Sequence, residues 1–337
     1  MVLDWMPDGI EFSQGVVDNK IINCIIHDAG GGGLANQQGP IGTEVYGTML
    51  YYNGRSPVTS SNGNGNYGTY TQNTGSEDKT YQDNIIFYNW LYGVHMYTEG
   101  AKVDNFLFDN NVMFNNGYFR NYCQGSPRTA STSCGAIGTS FERNFLSGGQ
   151  ISHNLRFTNN YMYYPSSPTG GARETIGYNL PAASPIITGN YFIRGVVDIS
   201  ANTPIISGNT FYGNSFEGAS PSQDSNAYLL SPHGVKYIVR PNKYEPGTRA
   251  NIIIYNWDKT SSVSINLTNV GFADGSNFVI LDVLNYFGSP VLTGTYHAGQ
   301  AVTIPMNEKT YQVPFGQSIP PMMTEPEFGV FVLIKTS

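Results

Sequence analysis

Charge is what this sequence has least of. Only 12% of its 337 residues are Asp, Glu, Lys or Arg, against about a quarter in ordinary soluble domains. Scarce Glu and Lys remove the usual helix formers. A net charge of −7 excludes the cationic surplus that a nucleic-acid backbone requires. No apolar run reaches about 18 residues, so no membrane-spanning helix is expected. The opening MVLDWMPDGIEF has neither the basic nor the apolar segment of a secretion signal. Cysteine is rare too, three in all, and no Cys/His spacing resembles a zinc site. Cys24, inside INCIIHD, reads as a buried thiol. Cys123 and Cys134 flank the polar loop QGSPRTASTS, which a disulfide would close in an oxidising compartment. The run AGGGG lacks the Lys and the helix of a phosphate-binding loop.

What is present is strand and turn chemistry. Glycine (39) and tyrosine (24) are abundant, and both favour strands and tight turns over helices. One template recurs: a polar residue or Gly, then Asn, then about four apolar positions, then a turn. It appears as INCIIHDAG, QDNIIFYNW, FDNNVMFNNG, FTNNYMYYP, ITGNYFIRG and ISGNTFYGN. A second series runs GTEVYG at Gly42, GTYTQN at Gly68 and GVHMYTEG at Gly93. A period near 25 residues with short strands predicts a β-solenoid whose coils stack on one another. Asn tolerates the left-handed corners of such a coil, and stacked amides can hydrogen-bond along a ladder. Asn84, Asn111, Asn160, Asn190 and Asn209 are therefore expected to be structural.

After SPHGVKYIVRPNKYEPGTRA the template stops. Longer alternating strands follow (NIIIYNWD, SVSINLT, FVILDVLN, AVTIPM, FGVFVLIK), the pattern of an antiparallel β-sandwich. The expected organisation is all-β: residues 1–234 a right-handed parallel β-helix, residues 235–337 a C-terminal β-sandwich. A bare first coil exposes strand edges that recruit other strands, so self-association through the N-terminal β-helix edge is expected.

The stretches NKIINCIIHDAGGGG, TEVYGTMLYYNG, GTYTQNTG, DNIIFYNWLYGVHMYTEG and NNVMFNNG resemble right-handed parallel β-helix proteins of the pectate-lyase-like superfamily, over about Gly9 to Pro232. The resemblance implies an extracellular or cell-surface protein acting on or binding polysaccharide. Relatives of this type often read GHGIYTQN where this chain reads NYGTYTQN, which puts Tyr67 in the place of a histidine. The sequence has no NTD, DD, HG and RxK set like that of polygalacturonases. It also lacks the WIDH and RxPxxR of pectate lyases, so neither activity carries over.

Strand alternation turns this into a site. With Thr43, Val45, Thr69, Thr71, Val94 and Met96 facing inward, their neighbours face out. A 25-residue stacking then aligns Glu44, Tyr70 and His95 as candidate catalytic residues. Tyr46, Gln72, Tyr97 and Glu99 lie beside them as substrate-binding positions. Such a face suits polysaccharide lyase chemistry, glycoside hydrolysis, glycan binding alone as in an adhesin, or a purely structural role in a fibre or spike. Asp28, Glu44 and Glu99 are the candidate oxygen ligands for calcium. Six arginines between Tyr118 and Arg194, against Glu142 and Glu174, form a local cationic stretch. Arg120 and Arg143 from it are expected to meet a glycan carboxylate or sulfate.

Overall fold

The computed structural model describes residues 8–12, 15–37, 41–54, 67–98, 100, 102–119, 143–146 (backbone only), 151–165, 172–178, 180–307, 310–315 and 320–336. Glu99, Arg120, Cys123, Cys134 and the Arg143 side chain lie outside the described residues. Among those described, no helix is long and apolar enough to cross a membrane. The chain divides into two compact units, Met1–Leu230 and Ser231–Ser337.

The first unit is a parallel β-solenoid with three faces. Face A stacks Lys20–Ile22, Glu44–Tyr46, Lys79–Gln82, Phe106–Asp109, Leu155–Thr158, Ile186–Thr188 and Ile205–Ser207 into one seven-stranded parallel sheet. Face B begins with Ile25–His27, Met49–Tyr51, Ile85–Phe87, Val112–Phe114 and Tyr161–Tyr163. Face C begins with Ile10–Glu11, Leu34–Asn36, Tyr67–Thr71, Tyr92–Met96, Arg143–Leu146 and Arg173–Ile176. Two long strands, Tyr191–Ile199 and Thr210–Gly218, run from face B into face C and join them in one sheet. Inside, Ile21, Val45, Phe108 and Phe157 of face A meet Leu50, Ile86, Met113 and Phe192 of face B and Leu34, Val94 and Met96 of face C. The predicted inward set, Thr43, Val45, Thr69, Thr71, Val94 and Met96, is fully buried.

Asparagine builds the corners through a division of labour. Asp83, Asn110 and Asn159 adopt positive φ, as do Gly189 and Gly208, while the asparagine that follows each does not. The left-handed bend thus falls on the residue before the ladder asparagine, which corrects the expectation that the ladder residue takes it. The freed amide reaches along the stack. Asn111 Nδ2 donates to Asn160 Oδ1 (3.0 Å) and to the Tyr81 carbonyl (2.8 Å), while its Oδ1 accepts from Asn84 N and Nδ2. The chain of contacts continues through Asn190 and Asn209 to Asn226. A second ladder, Asn53, Asn89 and Asn116, fills the corner between faces B and C behind Tyr52, Tyr88 and Asn115 at positive φ. Buried amides survive because every rung is hydrogen-bonded.

The outer side of face B is also covered. His27, Tyr51, Phe87 and Phe114 stack ring on ring at 4.8–5.0 Å, beneath edge contacts from Tyr52 and Tyr88, against which Phe119 packs in turn. The second unit is antiparallel. A five-stranded sheet holding Val235–Pro241, Arg249–Asn256, Asn277–Asp282, Leu292–Thr295 and Phe328–Lys335 faces the pair Ser262–Asn266 and Ala301–Pro305. Their shared core contains Ile252, Ile254, Val263, Ile265, Ile304, Phe331 and Leu333.

Candidate functional site on the outer side of face C

Face C carries a group of polar aromatics on its outer side. Its strand register places Glu11 beside Ala35, Ala35 beside Tyr70 and Tyr70 beside His95. Tyr70 and His95 are vertical neighbours as the sequence predicts, their rings 5.3 Å apart edge to face. Tyr92 and Tyr97 both stack on the imidazole, at 4.5 and 5.4 Å. Tyr67 packs on Tyr70 at 5.4 Å. Gln72 Nε2 donates to the Tyr70 hydroxyl (2.7 Å) and to the Tyr97 carbonyl (3.0 Å), fixing phenol and strand end together.

The glycine run AGGGG has its reason here. A Cβ on Gly32 would fall 1.7 Å from the Tyr67 ring, and one on Gly33 would meet the Asn53 amide at 2.6 Å. Gly68 faces the same obstacle from Asn89. Glycine at these positions lets one coil's aromatic ring and corner amide lie directly on the backbone of the next.

Glu44 does not belong to this face. It pairs with Lys20 and Thr80 on face A, where its carboxylate meets the Lys20 ammonium at 3.2 Å. Tyr46 goes with it, beside Gln82, rather than beside Gln72 and Tyr97. The cause is a change of spacing. The coil before Tyr67–Thr71 is Leu34–Asn36, with Leu34 opposite Thr69, a 35-residue step lengthened by the RSPVTSSNGNGN insertion, whereas the next step from Thr69 to Val94 is 25 residues. A 25-residue repeat therefore picks GTEVYG from the wrong face. The proposed calcium ligands part company as well. Asp28 sits at a corner with His27 Nδ1 2.7 Å from its carboxylate, while Glu44 is on face A. Among the described residues no group of three His, Cys, Asp or Glu side chains is placed to hold a metal.

The residue that the sequence did not single out is Asp8. The Tyr67 hydroxyl donates to both its carboxylate oxygens at 3.4 Å, and the Gly32 amide donates to Oδ1. Burial outweighs these hydrogen bonds and raises the Asp8 carboxyl. Burial, then the Asp8 charge, raises the Tyr67 phenol, so it stays protonated. His95 keeps slight solvent exposure, yet burial among tyrosines pushes its imidazole down to about 3, and it is neutral at ordinary pH. The signal in the sequence was the carboxylate pair of DGIE, one coil ahead of LAN on the same face.

The register continues past these rings. Arg143 is the strand partner of Tyr92, and Arg173 of Arg143. Arg173 donates to Asp198 (2.8 Å) and to both Glu217 oxygens (2.6 and 2.9 Å). Its charge is therefore engaged. Comparisons with protein-family models, curated proteins and solved structures find no match to this chain.

Proposed function

We propose that this chain engages a polysaccharide along the outer side of face C. The supporting observation is the contiguous group of part-exposed Tyr70, Tyr92, His95 and Tyr97, backed by the buried Tyr67, across two stacked coils. Aromatic faces offer apolar area to sugar rings, and their hydroxyls and the neutral imidazole offer hydrogen bonds. Coils repeat about every 4.8 Å, so a sugar chain running along the stack meets the Tyr70 coil and then the His95 coil one such spacing apart. Arg143, whose backbone is next in register after Tyr92, is of the residue type that suits an anionic substituent. An extracellular or cell-surface setting goes with such a ligand.

Cleavage is the second reading, favoured by Asp8. A carboxyl raised by burial is the form a general acid takes in glycoside hydrolysis, and Glu11 on the adjoining strand supplies a second carboxylate. Lyase chemistry fits less well, because a neutral imidazole pushed down to about 3 is a weak base and the Tyr67 phenol holds its proton. The deciding experiment is a panel of neutral and anionic glycans, read for binding, for new reducing ends and for unsaturated uronate. Tyr70→Ala is expected to weaken binding about tenfold, roughly 1.4 kcal/mol. Asp8→Asn is expected to keep binding and abolish new reducing ends. A panel with no binder refutes the glycan reading, and reducing ends that persist in Asp8→Asn refute the hydrolytic one.

A further inference from the structure

Lys79 is the first residue of the face A strand Lys79–Gln82 and points into the solenoid with its side chain fully buried. Asn36, last residue of the face C strand Leu34–Asn36, is fully buried too. Lys79 Nζ lies 2.9 Å from Asn36 Oδ1, 3.1 Å from the Asn36 carbonyl and 2.6 Å from the Gln37 carbonyl. Among the described residues none of its partners is a carboxylate, which is an unusual setting for a buried ammonium. We propose that Lys79 and Asn36 become joined by an intramolecular isopeptide bond, a covalent tie between two coils.

The chemistry closes with the groups at hand. The Lys79 amine, once neutral, attacks Asn36 Cγ; the Nζ–Cγ bond forms, the Cγ–Nδ2 bond breaks, and ammonia leaves with the proton given up by Nζ. No oxidant or co-reactant is consumed. Burial lowers the Lys79 ammonium to about 7, which supplies neutral amine near neutral pH. Asn36 Nδ2 is 3.5 Å from the Tyr81 hydroxyl, and that phenol, raised chiefly by burial, stays protonated and is placed to pass a proton to the departing nitrogen. Thr69 Oγ1, 3.1 Å from the Tyr81 hydroxyl, extends the relay. The tie would bridge a separation of 43 residues that includes the RSPVTSSNGNGN insertion. It would also anchor the Asn36 carbonyl that accepts the Gln72 amide at 3.1 Å. The bond stands or falls independently of glycan binding.

Mass spectrometry of the purified full chain tests it. The intact mass is expected to fall one ammonia short of the sequence mass and to remain so in denaturant. Proteolysis is expected to release a branched peptide joining the Asn36 and Lys79 segments. Lys79→Arg is expected at its full sequence mass. A wild-type chain at full mass, with Lys79 recovered unlinked, overturns the proposal. So does an ammonia loss that persists in Lys79→Arg, which would place it at another amide.

Discussion

In the solenoid the buried asparagines pass hydrogen bonds from coil to coil along a line; in the sandwich the buried polar groups hold single places. Asn84, Asn111, Asn160, Asn190 and Asn209 hand hydrogen bonds along one line. In the second unit, Asn256 donates to the Thr260 carbonyl of its own turn and to the Pro326 carbonyl 70 residues away, and Asp282 caps Leu284. The apolar contents differ in the same way. Solenoid rings stack on their sequence equivalents, as Tyr81 on Phe108 and Phe192 on Phe211. Sandwich residues such as Phe331 pack among unlike neighbours from two sheets. A stacked coil is stabilised by its two neighbours, whereas a sandwich shares one closed core.

The sharpest break falls on the sandwich. Phe331→Ala removes a fully buried ring and is expected to cost about 4 kcal/mol. Urea unfolding measures it, and a cost below about 1 kcal/mol would mean the core re-closes around the gap. Asn111→Ala comes next, at about 3 kcal/mol, because the Asn84 backbone N–H loses its acceptor while Asn84 Nδ2, Asn160 Oδ1 and the Tyr81 carbonyl each lose one hydrogen bond. Asn226→Ala, at the less buried end of the same ladder, is expected to cost about 1 kcal/mol. Equal losses at Asn111 and Asn226 would contradict a ladder whose interior rungs are the more dependent ones.

A smaller effect separates face C from the rest by pH. The folded-state imidazole of His95 sits at about 3, below the ordinary unfolded value of about 6.5. Its contribution is therefore fully present above pH 6.5 and is lost as pH falls from there toward 3. The slope is at most about 1.4 kcal/mol per pH unit. The difference in urea midpoint between pH 7 and pH 5 should shrink in His95→Gln. An unchanged difference would assign the acid sensitivity to other groups.

The fold was legible because its devices are local. The Asn template marks one corner of each coil, and alternation puts Val45, Thr69 and Val94 inside without any knowledge of register. What could not be read was which coil lies on which. Steps of 35 and then 25 residues follow from an insertion, and GTEVYG imitates a face C strand while lying on face A. The asparagines carried the missing information: Asn53 to Asn89 is 36 residues and Asn89 to Asn116 is 27, the same long-then-short rhythm. Asp8 was hidden for another reason. Its chemistry depends on burial under Tyr67, a contact 59 residues away in sequence.

Glu44 gives the smallest expected effect and the cleanest test of this register. On face A it makes a partly exposed ion pair with Lys20, and such pairs contribute about 0–1 kcal/mol. Glu44→Gln is therefore expected to shift stability by no more than about 0.5 kcal/mol and to leave glycan binding unchanged, while Tyr70→Ala and His95→Ala weaken it. A loss of binding in Glu44→Gln equal to that in His95→Ala would mean that the ligand reaches around the corner from face C to face A. The platform would then be wider than the stack of rings that defines it.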